Sequence, residues 1–132
     1  MSVEHAKHNE NVCCFLYKDG RFRDWVVTTA FYSALHYVRH KIFPLTKSFG
    51  STSKSFINFD EYIKFIKSST GRRADKHKEL SKLVSEKTPK VQSYYSYLKD
   101  ICFKARYHNY KVKPQKADKA IECLNKIKQY CC

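Results

Sequence analysis

The stretch Asp24–His40, DWVVTTAFYSALHYVRH, decides the fold, because it predicts one helix with two different faces. At about 100° per residue, one face carries only core-type side chains: Val26, Val27, Ala30, Phe31, Ala34, Leu35, Tyr37 and Val38. The opposite face is mixed and holds Trp25, Thr28, Thr29, Tyr32, Ser33, His36, Arg39 and His40. Neither solvent nor a core requires aromatic, imidazole and guanidinium groups together, so the mixed face is the first candidate for a function.

Helical spacing recurs on both sides of this stretch. The sequence predicts four long helices, near residues 3–18, 24–43, 89–106 and 115–130, and one or two short ones between residues 58 and 87. Asn58 is a predicted helix cap, and Asp24 either caps its helix or lies favourably at its positive end. Pro44 ends the helix that contains Asp24.

Residues 44–57, PLTKSFGSTSKSFI, have no clear period and are rich in Ser, Thr and Gly, so we predict the longest loop there. The 132 residues include only 3 Gly and 3 Pro, which is too little turn chemistry for a many-stranded β fold. No repeat or linker divides the chain. The sequence therefore predicts a single domain over residues 1–132, all-α, as an up-and-down bundle of four to five helices.

The charge balance points to a polyanionic partner. The chain has 26 Lys and Arg against 12 Asp and Glu, which gives a formal net charge of +14. Such an excess attracts nucleic acid or, less often, acidic protein and membrane surfaces. Residues 64–90 are the first candidate patch, with nine Lys or Arg against three Asp or Glu. The alternative interpretation of this region is a solvated, lysine-rich helix face.

Other classes of protein find little support in the sequence. The first residues, MSVEHAKHNE, are polar, and no stretch approaches the roughly 18 apolar residues of a membrane span, so we predict a cytoplasmic protein without a membrane segment. The chain contains neither a Gly-rich phosphate loop nor an HExxH motif, and its six His and six Cys follow no metal-binding spacing. We therefore predict no metal and no cofactor.

The residues with chemical potential are basic and aromatic: Tyr32, His36, His77, Arg106 and Tyr107. An imidazole transfers protons near neutral pH, and a guanidinium holds a phosphate with two donors. These groups are the components of metal-independent RNA cleavage, in which a 2′-hydroxyl attacks the adjacent phosphate. In an antiparallel bundle they meet only if they lie at the same height, which the sequence does not fix. The alternative is a structural network of polar side chains.

Several motifs together resemble the HEPN superfamily (higher eukaryotes and prokaryotes nucleotide-binding), and in particular its small stand-alone members. They are DWVVTTAFYSALHYV, ADKHKELSKLV and YYSYLKDICFKARYHNY, which contribute His36, His77 and the Ala105-Arg106-Tyr107 run. The similarity extends over roughly residues 6–128. It implies a helical bundle, often dimeric, which in many members is an RNase or the toxin-like partner of a nucleotidyltransferase antitoxin.

The resemblance also implies roles for particular residues. His36 and His77 would handle protons or hydrogen-bond the ligand, Arg106 would contact phosphate, and Tyr32, Arg72 and Tyr107 would bind the ligand. Trp25 and Tyr32 would serve as packing anchors. The RNase signature of the superfamily is an Arg, four to six residues and then a His; Arg106 departs from it, because only one residue separates it from His108. Arg72 and His77 have the permitted interval, although at an unusual place in the chain.

Two functions follow from the sequence. The first is a HEPN-like protein that binds RNA or a nucleotide, with metal-independent endoribonuclease activity as its chemistry and a toxin–antitoxin system as its setting. Its partners would be RNA, a nucleotidyltransferase and a second copy of the chain. The second is a non-catalytic interaction module, a homodimer or partner-binding bundle, in which the His and Arg side chains form a buried network that specifies the interface.

Overall fold

The structure, a computed structural model, describes residues 2–71 and 73–132. In chain order, its elements are α1 (Ser2–Asp19), α2 (Arg23–Ile42), β1 (Leu45–Phe49), β2 (Thr52–Phe56), α3 (Phe59–Thr70), α4 (Lys76–Lys87), a 3₁₀ turn (Pro89–Val91), α5 (Gln92–Tyr107) and α6 (Pro114–Cys131).

The fold is mostly helical, and α2 lies at its centre. This helix packs against α1, α5 and α6, and α5 also packs against α6. All eight residues of the predicted core face of α2 are buried, which confirms that interpretation of the opening stretch. The mixed face is only partly exposed, because Thr28 and Ser33 are buried as well. The Ser33 hydroxyl donates to the Ala6 carbonyl oxygen at 2.8 Å, so this part of the mixed face fastens α1 to α2.

A buried polar group joins three of the long helices. Tyr37 on α2 is completely buried, and its hydroxyl donates to Glu10 Oε1 on α1 at 2.6 Å. Lys128 on α6 donates from Nζ to the other carboxylate oxygen, Glu10 Oε2, at 3.0 Å. Because both oxygens of the carboxylate accept hydrogen bonds, the network fixes the positions of α1 and α6 relative to α2.

The prediction of an all-α bundle of four to five helices is confirmed in part: the fold is mostly helical, but it is not purely α and has more helices. The described residues form six α-helices, and the segment predicted as a loop, residues 44–57, contains an antiparallel hairpin of β1 and β2. Leu45 pairs with Phe56, Phe49 pairs with Thr52, and Gly50 supplies a positive φ of 63° at the turn. The hairpin is held by packing on α3, where the Phe56 ring lies 5.2 Å from Tyr62 and 5.4 Å from Phe65.

The short helices begin at side-chain caps that orient the site. Asn58 Oδ1 accepts from the Glu61 N–H at 2.9 Å, which confirms the predicted cap of α3. Asp75 Oδ1 accepts from the Lys78 N–H at 3.2 Å and caps α4. Asp24 does not cap α2, which begins at Arg23; it lies in the first turn, near the positive end of the helix.

Candidate functional site

A cavity of about 220 Å³ opens between the middle of α2 and the first turns of α3 and α4. Its lining residues are Tyr32, Leu35, His36, Arg39, Phe59, Asp60, Lys76, His77 and Leu80. The fold thus brings three of the residues selected from the sequence, Tyr32, His36 and His77, to one place. They share it with two cations, Arg39 and Lys76, and with one carboxylate, that of Asp60.

The helical repeat of α2 explains why three polar side chains reach this cavity. Tyr32, His36 and Arg39 follow one another at spacings of four and three residues, so they form one row along the helix. Phe31 and Leu35 beside them belong to the core, so the row lies at the border between core and solvent. All three side chains are accordingly half-buried, which places their polar ends in a partly desolvated environment.

His77 lies in the first turn of α4 and is held by aromatic rings. Its imidazole centroid lies 5.3 Å from the Phe103 ring, 5.9 Å from the Phe31 ring and 6.5 Å from the Tyr32 ring. Burial lowers the pKa of His77, and the positive charge of Lys99 lowers it further, against a smaller opposing effect of Asp75. The imidazole is therefore neutral at pH 7 and free to accept a proton.

His36 is the more strongly perturbed imidazole. Burial, followed by the positive charge of Arg39 and the neighbouring His5, lowers its pKa from 6.5 to about 4. The His5 ring lies 4.9 Å from the His36 ring, between their centroids. His36 Nδ1 is buried and has no hydrogen-bond partner among residues 2–71 and 73–132. A buried polar atom of this kind is unusual outside sites that bind a further group.

Arg39 is the functional candidate that the sequence did not single out. Its guanidinium carbon lies 4.8 Å from the centroid of the Phe59 ring, and Nη2 donates to Asp60 Oδ1 at 3.3 Å. Nε is buried, and none of the described residues accepts from it. Arg39 follows His36 by three residues, so helical spacing could have predicted that both side chains lie in the same row along α2. Its contacts with Phe59 and Asp60 come from another part of the chain.

Arg106 and Tyr107 lie beside the cavity and not in its wall. Arg106 Nη1 donates to the Tyr32 hydroxyl at 3.3 Å, so Arg106 is connected to the site through that residue. Both residues are exposed, Tyr107 to 69%. Arg72, the remaining candidate, lies outside the described residues. Trp25 is 50% exposed, which contradicts its expected role as a packing anchor; Tyr32 fills that role, with its ring 5.2 Å from that of Phe31.

A second cavity, of about 530 Å³, adjoins the first. The two share His36, Arg39, Phe59 and Asp60, so these four residues form a common wall. The second cavity continues toward the start of α1 and the residues before α3. Its other lining residues are Ser2, Val3, Glu4, His5, His40, Phe43, Ile57 and Asn58. The site is therefore a groove with two compartments and not an isolated pit.

Comparison of the chain with protein-family models, with curated proteins and with solved structures gave no match. Within the described part of the chain, no three His, Cys, Asp or Glu side chains are arranged to hold a metal ion. The helices of residues 2–71 and 73–132 include none with the length and apolar character of a membrane span. Fold and site together define a mostly helical protein with an imidazole-lined groove that also contains cations.

The perturbed imidazole makes a prediction about stability. Because the pKa of His36 falls from 6.5 in the unfolded chain to about 4 in the fold, the native state binds this proton more weakly. Above pH 6.5, His36 is neutral in both states and does not reduce the free energy of unfolding. As the pH falls toward 4, the unfolded chain binds the proton and the folded chain does not, so the free energy of unfolding decreases. We expect a loss of about 2 kcal/mol, a value discounted because the ring is only half-buried.

The measurement is urea unfolding of the wild type and of His36→Gln at a series of pH values, followed by circular dichroism. Other acidic and basic groups titrate in both proteins, so only the difference between the two curves reports His36. The wild type should lose more stability than the variant between pH 6.5 and 4. Parallel curves would contradict the assignment of a depressed pKa to this imidazole.

Proposed function

We propose that this protein is a HEPN-like RNA-binding protein that holds an RNA phosphate in the groove and cleaves the chain there without a metal ion. The phosphate would lie between Arg39 and Lys76, within reach of His36 and His77. The formal net charge of +14 supplies the general, salt-sensitive attraction to RNA. The resemblance in sequence supplies the family, with a cytoplasmic toxin–antitoxin setting and a nucleotidyltransferase as the partner.

One observation carries the proposal. His36 Nδ1 and Arg39 Nε are buried, belong to residues that line the same cavity, and lack a hydrogen-bond partner within the described chain. A purely structural network would satisfy its members, because an unpaired buried polar atom costs about 1–3 kcal/mol. A bound phosphodiester offers acceptor oxygens for the guanidinium, and its ribose offers a hydroxyl for the imidazole.

The chemistry follows from the protonation states. The low pKa of His36 keeps it neutral, so it can take the proton of the 2′-hydroxyl as that oxygen attacks the adjacent phosphorus. The bound phosphate raises the pKa of His77 toward its ordinary value, because a nearby negative charge favours the imidazolium. His77 then gives its proton to the departing 5′-oxygen. The products are a 2′,3′-cyclic phosphate and a 5′-hydroxyl, and Arg39 stabilises the charge on the phosphorane.

The test of binding uses a labelled single-stranded RNA at low salt in the presence of EDTA. Replacing Arg39 with glutamine should weaken binding about 10–150-fold, because it removes charge-assisted hydrogen bonds to the phosphate. Arg21→Gln is the matched control: it makes the same change in net charge, at an exposed arginine paired with Asp19 outside the groove. Equal affinities of the two variants would mean that the RNA binds elsewhere on the basic surface.

A separate observation favours the second candidate, a non-catalytic interaction module. Four large side chains between residues 15 and 25, at the junction of α1 and α2, are exposed: Phe15, Tyr17, Phe22 and Trp25. Aromatic side chains are enriched at protein interfaces. In this alternative, a homodimer or another partner would cover them. Light scattering of Trp25→Ser would then show a change in mass, whereas the Arg39 variant would leave the affinity for RNA unchanged.

A further inference from the structure

We propose that Asp60 sets the affinity of the groove for phosphate by competing with the bound phosphate for Arg39. In the free protein the Asp60 carboxylate holds the guanidinium, and a phosphate that enters the groove takes its place. The inference rests on the proposed function, since it concerns the same Arg39. It adds a role for an acidic residue, Asp60, in a groove that is proposed to bind an anion.

The contact between the two residues is incomplete. A guanidinium binds an oxyanion best through two parallel N–H donors, such as Nε and Nη2 on one edge of its fork. In this pair only Nη2 donates to the carboxylate, at 3.3 Å, and Nε has no acceptor among the described residues. Strong charge-assisted bonds are about 2.7–2.9 Å long. Asp60 therefore holds Arg39 through a single hydrogen bond that is longer than a strong charge-assisted bond.

The side chains of Arg39 and Asp60 differ in solvent exposure. The Arg39 side chain is only 19% exposed and is stacked on Phe59, with its guanidinium carbon 4.8 Å from the ring centroid. The Asp60 side chain is 69% exposed and lies in the first turn of α3. A carboxylate there is stabilised by the positive end of the helix even when it turns to water. When a competing anion arrives, Asp60 leaves and Arg39 stays.

Asp60 and Arg39 lie where they meet any ligand that enters the groove. Asp60 and Arg39 both belong to the wall shared by the two cavities, so the carboxylate faces whatever enters either compartment. A phosphate presents several oxygens on one centre, so it can replace Asp60 as the acceptor for Nη2 and add Lys76, which lines the first cavity, as a further partner. Asp60 thus lowers the affinity of the groove for a phosphate ligand, which must displace the carboxylate from Arg39 in order to bind.

The test compares Asp60→Asn with Asp100→Asn, a substitution of an exposed aspartate on α5 outside both cavities. Both variants gain the same net charge. The probes are inorganic phosphate, followed by ³¹P NMR, and the labelled single-stranded RNA in EDTA. Asp60→Asn should bind each probe about fivefold more tightly than Asp100→Asn, the factor that corresponds to an exposed ion pair. In an Arg39→Gln background this advantage should disappear.

The outcomes separate the exchange from the proposed function. If the two variants bind phosphate equally, or if the advantage survives in the Arg39→Gln background, the exchange is overturned, whatever the RNA data show. If Asp60→Asn gains affinity for phosphate while no variant binds RNA, the exchange stands and the proposed RNA function fails. Unfolding in urea, measured alongside, should show that both variants remain folded under the conditions of the binding assays.

Discussion

Replacing His36 with alanine is expected to slow RNA cleavage about 10²–10⁴-fold, the usual contribution of a positioned general base. The reason lies in its surroundings: burial and Arg39 lower its pKa to about 4, so the imidazole is neutral at pH 7, and the bound phosphate raises that pKa toward the range in which a general base is effective. Binding should change much less, since Arg39 and Lys76 provide the phosphate contacts. The measurement is the rate of appearance of 2′,3′-cyclic phosphate ends in EDTA.

Two controls make this result specific. His8→Ala removes an exposed imidazole of α1 that lies outside both cavities, and it should leave the rate unchanged. Added imidazole should partly restore the His36→Ala variant by entering the space that the side chain left. A purely structural role would not produce this rescue. A His36→Ala rate within threefold of the wild-type rate would remove His36 from the mechanism.

Replacing Phe31 with alanine is expected to lower the free energy of unfolding by about 3–5 kcal/mol, which is a large part of the stability of a domain this size. Phe31 is completely buried, and its ring centroid lies between 5.2 and 5.9 Å from four other rings, those of Tyr32, His77, Tyr95 and Phe103. No neighbouring element can collapse into that space without moving the site. Urea unfolding measures the loss.

The matched control is Phe15→Ala, the same substitution at a side chain that is 71% exposed. Its effect should stay within about 0.5 kcal/mol. Because Phe31 supports the rings of both Tyr32 and His77, the folded fraction of Phe31→Ala should also lose affinity for RNA. A loss of stability below about 1 kcal/mol would show that the ring cluster does not organise this region.

Much of the fold could be predicted because it follows from local periodicity. The core face of α2 was identified residue by residue, since every third or fourth position was apolar. The hairpin was missed because β2, with the sequence TSKSF, has one apolar residue, Phe56, and so shows no alternation. Tertiary contacts stabilise it, among them the Lys54 ammonium 4.5 Å from the Phe65 ring centroid. Such contacts between distant residues cannot be recognised from the residue pattern of β2 itself.

The site was predictable only in part, for a similar reason. The row of Tyr32, His36 and Arg39 follows from helical spacing, but the height at which α4 meets α2 does not. The sequence selected His77 first for its residue type and then for the resemblance, and the fold places it in the same cavity. Arg106 received the role of phosphate ligand because it ends a matching motif. The contact that favours Arg39 for that role, with Phe59 and Asp60, joins residues about twenty positions apart and could not be read from either segment.

The most direct test of the central claim is ¹⁵N NMR of the wild-type protein titrated with a single-stranded 2′-O-methyl RNA, which binds but is not cleaved. The imidazole resonances of His36 and His77 and the Nε–H of Arg39 should shift together, at the same RNA concentration, while the imidazole of His8 does not. Unchanged signals from these three side chains, with shifts confined to the lysine-rich region 64–90, would show that RNA binds outside the groove.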